Sequence, residues 1–310
     1  MFRVEHKNGQ KHIYFFNKKI LKFGGNSNKD INQKLTSVQN VVYSIIRAKD
    51  IPQAEGYLRD IQLGQLKLLQ EIDRICKKHK IVYWLDFGTL LGAARHKGFI
   101  PWDDDIDICM LRADYQKFIE IFTTECIIEN LEAKLFSHSS GKANLIKVIH
   151  KRIDNLFVDI FPVDIGYVAM DWKEKLLFSN KLKKLSESHA HTMRKYNSLS
   201  EWHNSYIKLR EKHIDSFIDQ KINYIPQTIY YGLEFYHRSH KYNVFDYDVI
   251  FPLQEIEFEG IKFPCINKID TYLTLNYGNY QVLPQNYHVH RDLNNISIEK
   301  ALSIKQFINN

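Results

Sequence analysis

The sequence of 310 residues predicts a small core of the α/β or α+β class, followed by a largely helical second half. Three observations lead to this prediction. Apolar residues recur at three- and four-residue steps from Tyr57 to Lys80, which indicates a long amphipathic helix. Short apolar runs rich in β-branched and aromatic residues come next, as expected for buried strands. From Trp172 to about Ile222 the chain has mostly helical character.

The predicted core elements follow one another closely. The run Ile81–Phe87 reads as a buried strand, and Gly88-Thr89 breaks it before a short helical run. A helix is expected from about Asp114, which is well placed to cap it. Later in the chain, a hairpin is expected to turn at Glu259-Gly260. The other predicted strands of the core are Ile106–Leu111, Leu145–Arg152 and Leu156–Phe161.

The N-terminal stretch is expected to form an appended element. The segments KHIYFF and KILKF predict a β-hairpin over residues 11–23, and a helix is predicted around Val41–Ala48. We therefore divide the chain into an extension (1–50), a catalytic core (51–170) and a mainly helical region that completes the substrate site (171–310).

Composition limits the classes of function. Apolar residues make up 44% of the chain, enough for a sizeable core, and 43 basic against 36 acidic residues leave a net charge of +7. This balance suits nucleotides, lipid phosphates or an acidic membrane surface, although solvated helix faces would also explain short lysine runs. The sequence contains neither a secretory signal nor 18 consecutive apolar residues, so we expect a protein that does not span a membrane. Four well-separated cysteines favour a reducing compartment, hence the cytoplasm, with peripheral contact at the inner face of the membrane.

An acidic run is the strongest functional signal. Asp103, Asp105 and Asp107 occupy alternate positions, which share one face where a chain is extended. Like charges this close call for a cation, and oxygen-only ligands select Mg²⁺ or Mn²⁺. A solvated acidic loop is the alternative, but the following buried strand, from Ile106, disfavours it.

A further carboxylate, Asp159, lies among four apolar neighbours and needs a partner there. A metal ion shared with Asp105 and Asp107 would supply one, and a cation such as Arg152 is the alternative. If Asp159 lies beside the metal instead, it would suit the role of general base.

Phosphate-binding groups are predicted next to the acids. Gly88-Thr89 opens a helix, where backbone N–H groups and the helix dipole attract phosphate. Arg95 and Lys97 lie between this turn and the acidic run and could neutralise phosphate oxygens. An ordinary turn and two surface cations are the alternative interpretation.

These motifs resemble those of the LicD family, which includes the fukutin and fukutin-related transferases. The resemblance rests on GTLLG with Arg95, on IPWDDDID, and on VDIFP around Asp159, and it extends over about residues 57–290. It implies an α+β, nucleotidyltransferase-like fold with a small mixed sheet flanked by helices. Asp103, Asp105, Asp107 and Asp159 would take the metal-binding positions, with the last three catalytic, and Gly88, Thr89 and Arg95 the donor-phosphate region.

The implied reaction moves phosphocholine, or ribitol or glycerol phosphate, from a CDP-activated donor to a sugar hydroxyl and releases CMP. CDP-choline is the favoured donor, and the acceptor would be a surface polysaccharide, a lipopolysaccharide or another lipid-linked saccharide, with no nucleic acid involved. The chain has no cysteine cluster like the zinc site of the fukutin-related branch, which favours a bacterial LicD-type enzyme.

Weaker signals and alternatives remain open. Residues 230–242 interleave aromatics with His and Arg and could bind a base, a sugar or a quaternary ammonium, or could be structural. His288, His290 and Arg291 could reach a substrate. A true nucleotidyltransferase would transfer NMP from an NTP and release pyrophosphate, and a glycan- or nucleotide-binding subunit would catalyse nothing.

Overall fold

The computed structural model describes residues 2–7, 10–15, 18–23, 47–137, 144–190, 199–215, 225–234, 243–283 and 297–309. The chain divides into two compact units. The first takes in residues 1–51 and 281–285, and the second takes in residues 52–280 and 286–310. The acidic motif and its neighbours belong to the second unit.

The first unit contains a three-stranded antiparallel sheet of β1 (Phe2–Lys7), β2 (Gln10–Phe15) and β3 (Lys18–Phe23). β2 and β3 pair over the segment where the sequence predicts a hairpin. A 3-10 turn follows at Ala48–Asp50. Of the helix predicted around Val41, residues 41–46 lie outside the described residues.

The second unit is built on a seven-stranded mixed sheet. Its strands are β4 (Tyr83–Leu85), β5 (Asp107–Leu111), β6 (Leu131–Ser137), β7 (Asn144–His150), β8 (Phe157–Gly166), β9 (Thr228–Tyr231) and β10 (Val244–Asp246). The central strand is β8. Because β8 is ten residues long, it pairs along one edge with β7 near its start and β9 near its end, while β5 runs parallel to it along the other edge. The remaining pairs are antiparallel, with β4 beside β5, β6 beside β7 and β10 beside β9.

Helices flank this sheet, and the combination confirms the predicted α+β class. The longest helix, α1 (Gly56–His79), buries most of the apolar positions that the sequence pattern indicates and ends where Lys80 takes a left-handed backbone (φ 56°). None of the helices in the described ranges has the length and apolarity needed to cross a membrane. The helices are α1 (Gly56–His79), α2 (Phe87–His96), α3 (Arg112–Glu125), α4 (Trp172–Ala190), α5 (Leu199–Arg210), α6 (Tyr247–Ile250), α7 (Ile269–Tyr277) and α8 (Ile298–Asn309).

Two local predictions can be compared with the structure. The predicted hairpin is confirmed as β11 (Gln254–Phe258) and β12 (Ile261–Cys265), joined by Glu259 and Gly260 with φ of 53° and 76°. The predicted cap of α3 is wrong, because β5 runs directly into the helix. Leu111 occupies the N-cap position without a side-chain hydrogen bond, and Asp114 lies inside the first turn.

The sheet separates two apolar clusters. Because successive side chains of a strand point to opposite faces, Ile108 and Ile160 join one cluster, while Cys109 and Phe161 join the other. All four side chains are buried. By the same alternation, Asp107 and Asp159 lie on the face of the second cluster.

Candidate active site

A sharp turn joins β4 to α2 beside the acidic motif. Phe87 has a left-handed backbone (φ 44°), which is strained for a residue other than glycine. Its ring lies against Phe161 and Tyr231, with both centroids 5.0 Å away. This packing offsets the strain and holds the turn in one shape.

The first turn of α2 contacts the acidic segment (residues 103–107) through Gly88 and Thr89, the two residues that the sequence predicts to bind phosphate. A Cβ atom on Gly88 would lie 2.8 Å from Oδ2 of Asp103, so only glycine lets this carboxylate come so close to the helix. The hydroxyl of Thr89 is buried and accepts a hydrogen bond from the backbone N–H of Asp107 at 2.8 Å. The Gly-Thr turn therefore lies beside the carboxylates, and Thr89 helps to fix the start of β5.

Three consecutive carboxylates come together just before β5. One oxygen each from Asp103, Asp104 and Asp105 lies within 4.8 Å of the others. Asp104 is buried, whereas Asp103 and Asp105 are half-buried. The alternation argument does not hold for this segment, because β5 begins only at Asp107. A turn, closed by the N–H of Asp103 donating to the carbonyl of Ile100 at 2.9 Å, brings the three together instead and includes Asp104, which the sequence analysis left out.

Asp107, Asp159 and Lys147 form a row across three neighbouring strands. Asp107 is the register partner of Asp159 on β8, which is in turn the partner of Lys147 on β7. The Lys147 ammonium lies 2.8 and 3.0 Å from the two carboxylate oxygens of Asp159. Asp159 therefore has the basic partner that the sequence analysis gave as the alternative to a metal, and this partner is Lys147 instead of the example Arg152.

The neighbouring carboxylates affect the pKa of Asp107. Burial, followed by the charges of Asp105, Asp159 and Asp103, raises the pKa of Asp107 well above its usual value, and Lys147 only partly opposes this. Burial and nearby like charges both disfavour the charged form of a carboxylic acid. Asp107 and Asp159 are thus neighbours on adjacent strands, whereas the three carboxylates that lie within 4.8 Å of one another are those of Asp103, Asp104 and Asp105. The convergence of Asp105, Asp107 and Asp159 on one ion stays a prediction.

Two buried glutamines of α1 hold the acidic segment by its main chain. Nε2 of Gln62 donates to the carbonyl of Asp103 at 2.9 Å, and Nε2 of Gln65 donates to the carbonyl of Asp104 at 2.8 Å and that of Asn155 at 3.2 Å. Both glutamines are fully buried. Sequence reasoning missed them, although two amides on the apolar face of a helix are a signal for buried hydrogen bonds.

A buried carboxylate that sequence reasoning also missed begins α2. Asp86 caps the helix by accepting from the N–H of Phe87 at 2.7 Å, and it also accepts from Trp84 Nε1 and the Tyr231 hydroxyl, both at 3.1 Å. The Tyr272 hydroxyl forms a further hydrogen bond to it. Burial raises the pKa of Asp86, although these donors oppose the shift. Asp86 therefore ties helix α7 to the turn that carries Gly88.

The two predicted phosphate-binding cations differ in their burial. Arg95 is buried, its guanidinium lies 5.8 Å from the Trp102 ring centre, and it donates to the carbonyl of Tyr280 at 2.8 Å. Burial lowers its pKa to about 10, against the opposing charge of Asp103, so it stays cationic at neutral pH. Both residues lie at the C-terminal end of α2, but the side chain of Lys97 is 75% exposed and its ammonium lies 3.7 Å from the Glu257 carboxylate.

Other predicted contacts cannot be placed in this site. Residues 235–242 of the aromatic stretch and His288, His290 and Arg291 lie outside the described residues. All four cysteines are free, in line with the expectation of reduced thiols, and the three at Cys76, Cys109 and Cys265 are buried.

The donor set suits a hard divalent cation. Asp103, Asp104 and Asp105 offer carboxylate oxygens, which are the ligands of Mg²⁺ and Mn²⁺. Asp107, the first residue of the strand that follows, offers a further carboxylate. The adjoining N-terminus of α2 provides the positive end of a helix dipole, which attracts phosphate oxygens.

A family model and several known proteins are similar to this region of the chain. The family model described as LicD/FKTN/FKRP, nucleotidyltransferase domain, matches residues 80–163 and 163–268. The lipopolysaccharide cholinephosphotransferase LicD of Haemophilus influenzae is 34% identical over 254 residues, which cover 73% of this chain and 92% of that protein. The human ribitol 5-phosphate transferase FKRP is 31% identical over 80 residues, or 26% of this chain and 16% of that protein.

A solved structure of Cid1, described for its RNA terminal uridylyl transferase activity, covers 50% of this chain and 43% of its own at 18% identity, with a TM-score of 0.24. A similarity this low adds nothing about the fold. The family model, by contrast, takes in the turn of α2, the acidic segment and the β8 carboxylate, and the Haemophilus protein aligns over most of both chains. This chain therefore belongs to the LicD family.

Proposed function

We propose that this protein transfers phosphocholine, or another phospho-alcohol, from a CDP-activated donor to a sugar hydroxyl of a surface polysaccharide or lipopolysaccharide and releases CMP. The observation that carries this proposal is the gathering of Asp103, Asp104 and Asp105 against the first turn of α2. A diphosphate needs both a cation and N–H donors, and this arrangement offers sites for both.

The cargo is proposed from the relatives. Similarity over 92% of the Haemophilus cholinephosphotransferase supports phosphocholine as the first candidate. Similarity to the ribitol 5-phosphate transferase extends over only 16% of that protein, so ribitol phosphate, like glycerol phosphate, ranks second.

Asp103, Asp104 and Asp105, with Asp107, would hold Mg²⁺ or Mn²⁺. The ion, when bound, would neutralise charge on the donor diphosphate. Asp104 is added to the metal-binding set predicted from the sequence because its oxygen lies with those of its two neighbours.

Residues of the chain would bind the phosphate oxygens and take up the acceptor proton. Gly88 and Thr89 present the start of α2 to the phosphate oxygens, and Arg95 adds a buried positive charge near Asp103. The acceptor hydroxyl oxygen attacks the phosphorus that bears the alcohol, the bond to the bridging oxygen breaks, and CMP leaves with that oxygen. Asp159 takes the hydroxyl proton, and Lys147 holds its carboxylate in position.

Product analysis tests the reaction. The purified full chain is incubated with Mg²⁺ and, in turn, CDP-choline, CDP-ribitol, CDP-glycerol and CTP, with an acceptor glycan. CMP release that depends on one CDP donor supports the proposal. Pyrophosphate release from CTP would assign a nucleotidyltransferase, and binding without any product would assign a binding subunit.

Substitutions test the proposed roles. Asp105→Asn is expected to slow transfer at least about a hundredfold and to raise the Mg²⁺ concentration needed for half-maximal activity. Asp159→Asn is expected to slow transfer without raising that concentration. Asp154→Asn is the matched control, because the Asp154 side chain is 70% exposed and paired with Lys300 on the surface. Full activity of Asp105→Asn would exclude the proposed site.

A further inference from the structure

Helix α4 has two apolar faces instead of one. The inner face packs into the core through Phe178 and Leu182, which are fully buried. The opposite side carries Trp172, Leu176 and Leu177, which are 70%, 52% and 68% exposed. Packing in the core of the second unit explains the inner face but not the outer face. Large apolar side chains gathered on one exposed surface usually mark a binding site.

Lysines share this outer side. Residues four and seven positions apart lie on the same stripe of a helix, which aligns Trp172 and Leu176 with Lys183, and Lys173 and Leu177 with Lys184. The two stripes are adjacent. We call these six residues the α4 surface. Its three apolar residues lie in the first two turns beside Lys173, and Lys183 and Lys184 lie towards the end of the helix.

The combination fits one chemical partner. Tryptophan and leucine beside lysine on one helix face can enter the headgroup region of a bilayer, while the ammonium groups meet lipid phosphates. The Lys173 ammonium already lies 5.5 Å from the ring centre of Trp172. Five lysines against two glutamates along α4 give the helix an excess of positive charge. The same excess of positive charge disfavours contact between the α4 surfaces of two copies of the protein, because the lysines of one copy would face those of the other.

We propose that the α4 surface docks the protein on a membrane that carries anionic phospholipid headgroups. The inference goes beyond the transfer reaction and does not depend on it, because docking requires neither donor nor acceptor.

Vesicle co-flotation of the full chain tests the proposal. Vesicles of phosphatidylcholine alone are compared with vesicles that also contain phosphatidylglycerol, at low and high salt. The protein is expected to float with the anionic vesicles only, and less at high salt. Lys183→Glu with Lys184→Glu should weaken partitioning at least about tenfold, since each basic residue at an anionic surface contributes about fivefold.

A second variant removes the apolar part, with Trp172→Ala, Leu176→Ser and Leu177→Ser, and should also lose binding. Its matched control is Ile298→Ser with Leu302→Ser, which removes side chains that are 81% and 61% exposed on α8 and should bind normally. Circular dichroism and thermal unfolding confirm that each variant folds.

Three outcomes would overturn the proposal. The first is no flotation of the wild-type protein, and the second is binding that the two α4 variants leave unchanged or that the α8 control loses equally. The third is a dimer in sedimentation velocity that the α4 variants dissociate while vesicles remain unbound, which would assign the surface to contact between copies. Because the vesicles hold no substrate, none of these results bears on the proposed transfer.

Discussion

Replacing Gln65 with methionine is expected to slow transfer about a hundredfold in a protein that still folds. Methionine has nearly the shape of glutamine but cannot donate the hydrogen bonds to the carbonyls of Asp104 and Asn155, at 2.8 and 3.2 Å. Loss of the partner of the buried Asp104 carbonyl costs about 1–3 kcal/mol, and loss of the bond to the part-buried Asn155 carbonyl costs about 1 kcal/mol, so the two bonds together account for about 2–4 kcal/mol of the free energy of unfolding. A typical domain has about 5–15 kcal/mol, and it would remain folded.

The effect on transfer exceeds what lost stability explains. Without its donor, the backbone that carries Asp104 can move, and a displacement of about 1 Å at a reacting site costs about a hundredfold in rate. The assay measures CMP release against donor and Mg²⁺ concentration, alongside urea denaturation at the same temperature. We expect kcat to fall and the Mg²⁺ requirement to rise, which a smaller folded fraction alone would not produce.

The control for this variant is Gln70→Met, on the same helix but exposed. It should match the wild-type protein in both measurements. A Gln65→Met protein with wild-type kcat at saturating Mg²⁺, or an equal loss in Gln70→Met, would refute the reasoning.

Two further predictions concern the frame of the site. Arg112→Met should lower the free energy of unfolding by about 3–5 kcal/mol at pH 7, because Arg112 pairs with Asp164 and Glu234, which are buried. Burial alone would raise the pKa of Asp164, but Arg112 outweighs it and holds this pKa below its usual value, so the stabilisation exists above about pH 4 and is lost below it. Urea denaturation should therefore show the largest gap in the free energy of unfolding between variant and wild type at neutral pH, and a gap that does not shrink as the pH falls from about 4 to about 2 would contradict this account. Gly88→Ala should slow transfer at least about tenfold while costing only about 1–3 kcal/mol of stability, because its Cβ would meet Asp103 at 2.8 Å, and an alanine variant with normal CMP release would show that this contact is unimportant.

Local sequence patterns predicted most of the helices and strands. The spacing of apolar residues predicts α1, and the pair Glu259-Gly260 predicts the hairpin turn, because both depend on neighbours in the chain. Strands β6, β9 and β10 were not predicted. β6 has only half-buried or exposed positions among its described side chains, and β9 and β10 are short segments within the half of the chain that reads as mainly helical.

The sequence predicted most acids of the candidate site, but it predicted neither Asp104 nor the residues that hold the acids in place. Residue types and their proximity to a buried strand were enough to single out Asp105, Asp107 and Asp159. The supports depend on contacts between distant parts of the chain, such as Gln65 with Asp104 and Asp86 with Tyr272, which are 39 and 186 residues apart. Single-sequence patterns contain no information about such pairs.

The way in which the acids are held suggests how their roles divide. Gln62 and Gln65 bind the main chain of the acidic segment with neutral amides, so they fix its shape without adding positive charge beside its carboxylates. A cation placed there would compete electrostatically with a divalent ion. Asp159, by contrast, has the Lys147 ammonium at both oxygens, a partner that would oppose metal binding but would orient a carboxylate for proton transfer. We infer that the segment before β5 binds the metal and that Asp159 on β8 handles the proton, a division that the different Mg²⁺ requirements of Asp105→Asn and Asp159→Asn would reveal.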